Sequence, residues 1–296
     1  MATLLRRAAR QLDCDVVRRH HYDLVRRTPY SPIPDLPPAS APVWNRKSDM
    51  PGIELDLDAQ LDWLRRCLAP SLAEFMARFV DCSGNAPIDL RNGYYQLVDA
   101  ALLFAMVRHF RPRRLLELGS GFSTLISAEA CLANAREGQA VDFVSVDPEP
   151  RTTSAARALG VTRLERQSAA DIPLDTFLDL DANDILFVDT THTVKLGSEV
   201  NYLILEALPR LKPGVIVHFH DIFLPFEYPR HWFERGTYLS EQYLLQAFLI
   251  DNDTYQVLFA THAVSRAYPD QLAELIPIFD ATTVGQESFW IQSRPR

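Results

Sequence analysis

The stretch RLLELGSGFSTLI, from Arg114 to Ile126, constrains this chain more than any other. Two apolar residues, Leu115 and Leu116, lead to an acid at Glu117. Gly119-Ser120-Gly121 then breaks the run before a new apolar periodicity starts. This pattern predicts a buried strand, a tight turn and the opening of a helix. Glycines in the turn take dihedrals that a side chain forbids and let the backbone come close to a ligand. A dinucleotide site lays a pyrophosphate on the helix N-terminus and wants glycines there, not a carboxylate in the preceding strand. The acid at Glu117 suits instead a ligand that carries a cation.

A second acid extends this reading. VDFVSVDPEP, Val141–Pro150, predicts a strand ending at Asp147, whose carboxylate sits where a ribose offers two hydroxyls. Strands are expected at 114–119, 142–147, 162–167, 184–189 and 214–220, with helices at 123–135, 151–158 and 198–210 between them. Such alternation means a parallel sheet with helices on both faces, an α/β fold. An amphipathic helix from Tyr95 to Phe110 leads into the first strand. After a helix around Glu241–Ile250, strands at Tyr255–Ala260 and Ser288–Gln292 end the series.

Taken together, LLELGSGFST, VSVDPEP, DILFVDTTH and LPRLKPGVIVHFHD resemble a class I S-adenosylmethionine-dependent methyltransferase. The resemblance spans about residues 90–292. It is nearest to the branch of small bacterial methyltransferase domains and more distant from the catechol-type O-methyltransferases. It implies a doubly wound, Rossmann-like, seven-stranded and mostly parallel sheet finished by an antiparallel hairpin. It also implies S-adenosylmethionine held by Glu117, Gly119, Ser120, Gly121, Thr124, Asp147, Ser168 and Asp189, with Gln167, Ser168 and Asp171 as candidates for the adenine edge. A nicotinamide-dependent oxidoreductase is the competing enzyme class, disfavoured by Glu117 and by Thr124 where a third glycine would stand. A non-catalytic, nucleoside-binding protein on the same fold is the other alternative.

In open α/β sheets, ligands sit beyond the carboxyl ends of the strands. DILFVD ends at Asp189 and is followed by Thr190, Thr191 and His192; GVIVHFHD delivers His218, His220 and Asp221. Period-two alternation puts His218 and His220 on one face and Phe219 on the other. Asp189, His220 and Asp221 should therefore meet at one mouth. They can hold a divalent metal, their carboxylates suiting a hard ion such as Mg²⁺ and the imidazole shifting preference towards Mn²⁺, Fe²⁺ or Zn²⁺. They can also serve as a general base, with His220 or His192 taking the proton and Asp189 or Asp221 orienting it. The catechol-type enzymes carry an Asp after strand four and an Asp-Asn pair after strand five around a metal. Here Asp189 matches the first, while His220 and Asp221 replace the pair. His218, deeper in its strand, is expected to be a satisfied core histidine.

The rest of the chain sets the context. Residues 1–85 are expected to form a cap, with an Arg-faced helix over 1–28, a proline-loaded arm over 28–42 and a helix over 58–80 interrupted near Pro70; residues 86–296 carry the main domain. A net charge of −8 argues against a nucleic-acid partner, despite seven arginines crowded into the first thirty residues. No run approaches a membrane span, and no secretory signal is expected at the N-terminus. Four scattered cysteines fit a cytoplasmic setting. The aromatic stretches FLPFEYPRHWF and RNGYYQ suit a small organic acceptor, with plain packing the better reading for Phe223 and Trp232. Nothing here opposes a homo-oligomer.

Overall fold

Short apolar runs become strands when flanking turn residues stop them early, and most strands of this chain are only three to six residues long. The computed structural model describes residues 31, 33–81, 88, 90, 94–150, 160–280 and 286–295 in full, and 14–19 and 22–26 as backbone. By its contacts the chain divides into two compact units, one of residues 1–41 and 230–238 and one of 42–229 and 239–296.

In the smaller unit, strands β1 (Cys14–Arg19) and β2 (Tyr22–Arg26) pair antiparallel. This replaces the helix expected there. Val16, Val17, Tyr22 and Val25 favour extended backbone, and that preference prevails over the spacing of the arginines. The unit also holds a short helix, Arg230–Arg235, braced by an Arg230–Glu234 ion pair at 2.6 Å.

The larger unit is built on seven strands: β3 (Arg114–Leu118), β4 (Asp142–Val146), β5 (Arg163–Glu165), β6 (Ile185–Val188), β7 (Ile216–Phe219), β8 (Tyr255–Ala260) and β9 (Phe289–Ser293). Their order is β5-β4-β3-β6-β7-β9-β8. The β5, β4, β3, β6 and β7 pairings are parallel, and β9 runs antiparallel between β7 and β8. This is the mostly parallel, doubly wound sheet expected from the sequence. The helix expected over 151–158 falls outside the described residues.

Alternation along the strands sorts side chains into two apolar layers. Leu115, Phe143, Ile185, Phe187, Ile216 and Trp290 face one way, while Leu116, Leu118, Val144, Leu186, Val188 and Phe219 face the other. The first layer packs under helix α1 (residues 57–80), α2 (Leu97–Phe110) and α3 (Phe122–Arg136). Asp56 caps α1 by accepting from the Ala59 N–H at 2.9 Å. Pro70 does not break α1: a π-helical turn, Leu64–Leu68, runs just ahead of it and absorbs the missing N–H. The apolar face of α1 belongs to the main core, from Leu61 to Phe79. Arg108 on α2 reaches Glu74 on α1 at 2.9 Å and also pairs with Asn134 and Glu137 at the end of α3. Helix α4 (Leu174–Leu178), the helical segment α5 (residues 199–210) and α6 (Glu241–Leu249) contribute to the second layer.

Candidate active site

The carboxyl ends of β3, β4, β6 and β7 open on one edge of the sheet, and the sequence-predicted residues gather there. Gly119 stands at φ +92°, and a Cβ built on it would lie 1.8 Å from the Asp189 carbonyl oxygen. Its glycine identity is fixed by the neighbouring strand end. Gly121 differs: a Cβ there would meet nothing within 4 Å, so the main chain borders open space.

Thr124 and Asp147 shape this turn. Thr124 is fully buried, and its Oγ1 accepts from the Gly121 N–H at 2.9 Å and lies 3.3 Å from Ser120 Oγ. Asp147, at the end of β4, accepts from the Ser120 N–H at 2.8 Å and the Glu149 N–H at 2.6 Å. Asp147 stays half-buried, and each carboxylate oxygen keeps a lone pair for a further donor.

Glu117, expected among the cofactor-binding residues, is fully buried at the end of β3. The pleat turns it into the layer beneath α3, where Ser123 Oγ donates to its Oε1 at 2.9 Å. Its Oε2 has no hydrogen-bond partner among the described residues. Burial pushes its carboxyl up to about 8, against the hydrogen bond from Ser123. Ser168 caps a short turn by accepting from the Ala170 N–H at 3.2 Å, and Gln167 donates to Glu165 at 3.0 Å.

Asp189, His220 and Asp221 do converge: one ligand atom from each lies within 4.8 Å of the others. His220 Nδ1 is 3.2 Å from Asp221 Oδ1 and 3.9 Å from Asp189 Oδ1. His192 joins them, its Nε2 3.1 Å from Asp189 Oδ1 and 3.2 Å from Asp221 Oδ2. Its other nitrogen, Nδ1, is 2.8 Å from Oε2 of Glu241, a fully buried carboxyl on the first turn of α6. Both His192 (φ +55°) and Asp221 (φ +56°) hold left-handed backbone, a conformation retained where surrounding structure enforces it. The His192 carbonyl accepts from the N–H groups of Ser240 and Glu241, at 2.9 and 3.1 Å, and so fixes the loop to α6.

Burial alone would discharge both imidazoles, but the carboxylates outweigh it. Asp221, Asp189 and Glu241 hold His192 well above its ordinary range, and Asp221, Asp189 and Asp99 do the same for His220. Burial likewise works against the charge of Asp221, yet His192 and His220 hold its carboxyl below the usual range. Glu287 hydrogen-bonds Asp221, and burial together with that neighbour raises its own carboxyl well above the ordinary value.

His218 sits in the core as expected, its ring stacked on Phe187 with centroids 4.2 Å apart. It is not satisfied, however: both ring nitrogens lack a hydrogen-bond partner among the described residues. Phe223 is buried against Tyr228 and His262, in keeping with packing rather than ligand contact. Trp232 lies in the smaller unit.

Residues 116–222 match the family model described as a methyltransferase domain. Over that segment the chain is similar to a methyltransferase domain. A curated relative, an uncharacterized protein of Archaeoglobus fulgidus, is 47% identical over 38 residues, 13% of this chain. The match spans 17% of that relative's length. Among solved structures, the O-methyltransferase TomG from Streptomyces achromogenes, involved in tomaymycin synthesis and in complex with SAM, is 17% identical. The match covers 82% of this chain and 92% of that one, with a TM-score of 0.41. The O-methyltransferase from Bacillus cereus in complex with SAH is 14% identical, covering 80% and 97% of the two chains with a TM-score of 0.38.

Three residues of this cluster escape the sequence reading. Asp99 on α2 is fully buried, lies 3.7 Å from His220 Nε2, and accepts from the N–H groups of Glu287 and Ser288 at 2.9 and 3.0 Å. Glu241 and Glu287 are the others. Only Asp99 carries a visible signal, as the single acid in the otherwise apolar run LVDAALLFAMV.

Proposed function

We propose that this methyltransferase moves the methyl group of S-adenosylmethionine to an oxygen of a small organic acceptor. The observation that carries the reading is the adjacency, along one sheet edge, of two unlike halves. One is a glycine turn bordering open space beside a half-buried Asp147. The other is a cluster of acids and imidazoles at Asp189, His192, His220 and Asp221.

The first half suits the cofactor. Open space at Gly121 leaves a cradle that any side chain would fill, and Asp147 has acceptor capacity left for two ribose hydroxyls. The second half suits the acceptor. Methyl transfer is an in-line displacement, so the protein mainly holds the two reactants together and deprotonates the nucleophile. Asp189, His220 and Asp221 supply hard oxygens and an imidazole at a spacing that fits a divalent ion such as Mg²⁺ or Mn²⁺. When bound, that ion lowers the pKa of an acceptor hydroxyl. Without it, the base is His192 or His220 once it has released the proton that the surrounding carboxylates hold on it. Two unpaired cysteines, Cys67 and Cys131, support a reducing, cytoplasmic setting. Among the described residues no helix is long and apolar enough to cross a membrane.

The test is His220→Ala assayed with a panel of hydroxylated small molecules that the wild-type protein methylates. Turnover should vanish while S-adenosylmethionine affinity stays within a few-fold. Chelation followed by readdition of Mn²⁺ or Mg²⁺ separates the routes: activity lost and restored supports the ion, and indifference leaves the imidazoles as base. If the wild-type protein fails to bind S-adenosylmethionine by calorimetry, the reading falls.

A further inference from the structure

The next inference rests on the metal reading above and adds the residues that set which ion is taken. Two imidazole nitrogens point at the same pair of carboxylates. His192 Nε2 lies 3.1 and 3.2 Å from oxygens of Asp189 and Asp221, and His220 Nδ1 lies 3.9 and 3.2 Å from oxygens of the same two residues. Donors sharing one ion at bond lengths of ~2.0–2.2 Å stand ~3–4 Å from one another. Each imidazole nitrogen therefore stands at that spacing from the same two carboxylates, His192 addressing Oδ2 of Asp221 and His220 its Oδ1.

The far side of each imidazole is equally specific. His192 turns Nδ1 to Glu241 at 2.8 Å, and His220 turns Nε2 toward Asp99 at 3.7 Å. Both of these carboxyls are fully buried, on α6 and α2 respectively. Metal-ligating histidines characteristically present their other ring nitrogen to a carboxylate, which fixes tautomer and ring orientation. Here Glu241 meets His192 at hydrogen-bond distance, while Asp99 stands at ion-pair distance from His220 Nε2, which has no hydrogen-bond partner among the described residues. His192 is itself buried, and its carbonyl is anchored to the start of α6, so its ring has little freedom to serve another direction.

We propose that His192 is a fourth ligand beside Asp189, His220 and Asp221, and that Glu241 and Asp99 are positioning residues aiming the two imidazoles. The two-imidazole, two-carboxylate shell takes a transition ion such as Mn²⁺, Fe²⁺ or Zn²⁺ in preference to Mg²⁺, because imidazole suits those ions and Mg²⁺ favours an all-oxygen shell.

Equilibrium binding of Mn²⁺, read from the free-ion electron spin resonance signal, and of Mg²⁺, by competition, tests this on the full chain without acceptor. The wild-type protein should bind Mn²⁺ at least ten-fold more tightly than Mg²⁺. His192→Gln and Glu241→Gln, each checked for folding by circular dichroism, should each lose ten-fold or more in Mn²⁺ affinity. Mg²⁺ affinity should change less, so the ratio of the two falls; a merely structural Glu241 would leave that ratio unmoved. A ratio unchanged in a folded variant overturns the assignment and leaves the metal reading standing. A wild-type ratio below ten also overturns it, even if neither variant folds. Failure of the wild-type protein to bind either ion overturns both.

Discussion

Gly119 and Asp189 are packed so closely that the glycine has no room for a Cβ: an added carbon would lie 1.8 Å from the Asp189 carbonyl oxygen. The positive φ of Gly119 adds to that constraint. Gly119→Ala should therefore destabilise the fold by roughly 3–5 kcal/mol, at the upper end for single substitutions. Gly121→Val meets no atom and has extended backbone, so stability should stay within ~1 kcal/mol of wild type. S-adenosylmethionine affinity should nevertheless fall at least ten-fold. Urea denaturation and calorimetry on both variants check the contrast; equal losses of stability would refute it.

Asp147 combines two tasks, tethering Ser120 and Glu149 through their N–H groups and offering free lone pairs to a ligand. Asp147→Ala should weaken S-adenosylmethionine binding by ~1–3 kcal/mol, the scale of a lost hydrogen bond to a charged group. Calorimetry with a folded variant of unchanged affinity would remove Asp147 from the cofactor site.

Glu117 gives a pH dependence whose sign follows from its burial. Its carboxyl titrates near 8 in the folded protein and near 4.5 when unfolded. Between those values the folded state keeps a proton that the unfolded chain has released. Stability from this group therefore falls as pH rises from about 4.5 to about 8, then levels off. Glu117→Gln should remove that slope, so the variant gains on wild type across the window by on the order of 4 kcal/mol. Denaturant titrations at pH 5, 6.5 and 8 report the difference. A gap that does not widen with pH would show that the carboxyl is ionised in the fold.

His218 is a buried imidazole with neither nitrogen partnered among the described residues, and burial holds its pKa well below the ordinary value. An unsatisfied polar group weakens a core, and replacing it with an apolar side chain of similar volume relieves that cost. His218→Leu should match or exceed wild-type stability, by up to ~2 kcal/mol. A clear loss of melting temperature would mean that the ring nitrogens are bonded in solution.

Much of the sheet is legible in the sequence because β3, β4 and β6 are largely apolar runs closed by Gly119, Asp147 and Asp189. The stretch expected at 184–189 forms Ile185–Val188, and Asp189 follows it as the strand-end acid. The short helices Leu174–Leu178 and Thr261–Ala267 are missed, since five to seven residues hold too few turns for a helical period to show. At the site, Asp189, His220 and Asp221 are legible because parallel neighbours end side by side. Glu241 and Glu287 are not. Their place beside His192 and Asp221 depends on how α6 and the approach to β9 dock, which no local pattern encodes. Glu117 is legible as an important acid but not as a buried one, because the pleat direction that hides it is settled only by α3 packing above.

The two hydrogen bonds from Glu287 and Ser288 to Asp99 join residues separated by 188 and 189 positions. During synthesis, Asp99 emerges first and waits for 188 further residues before the first of those donors exists. A nascent or clipped product that stops before residue 286 holds the glycine turn, Asp147 and the Asp189–His220–Asp221 trio, yet leaves Asp99 without the two groups that quench its charge. The approach to the last strand of the sheet thus acts as a checkpoint: only a chain that extends past residue 288 supplies both donors to the acid standing behind His220.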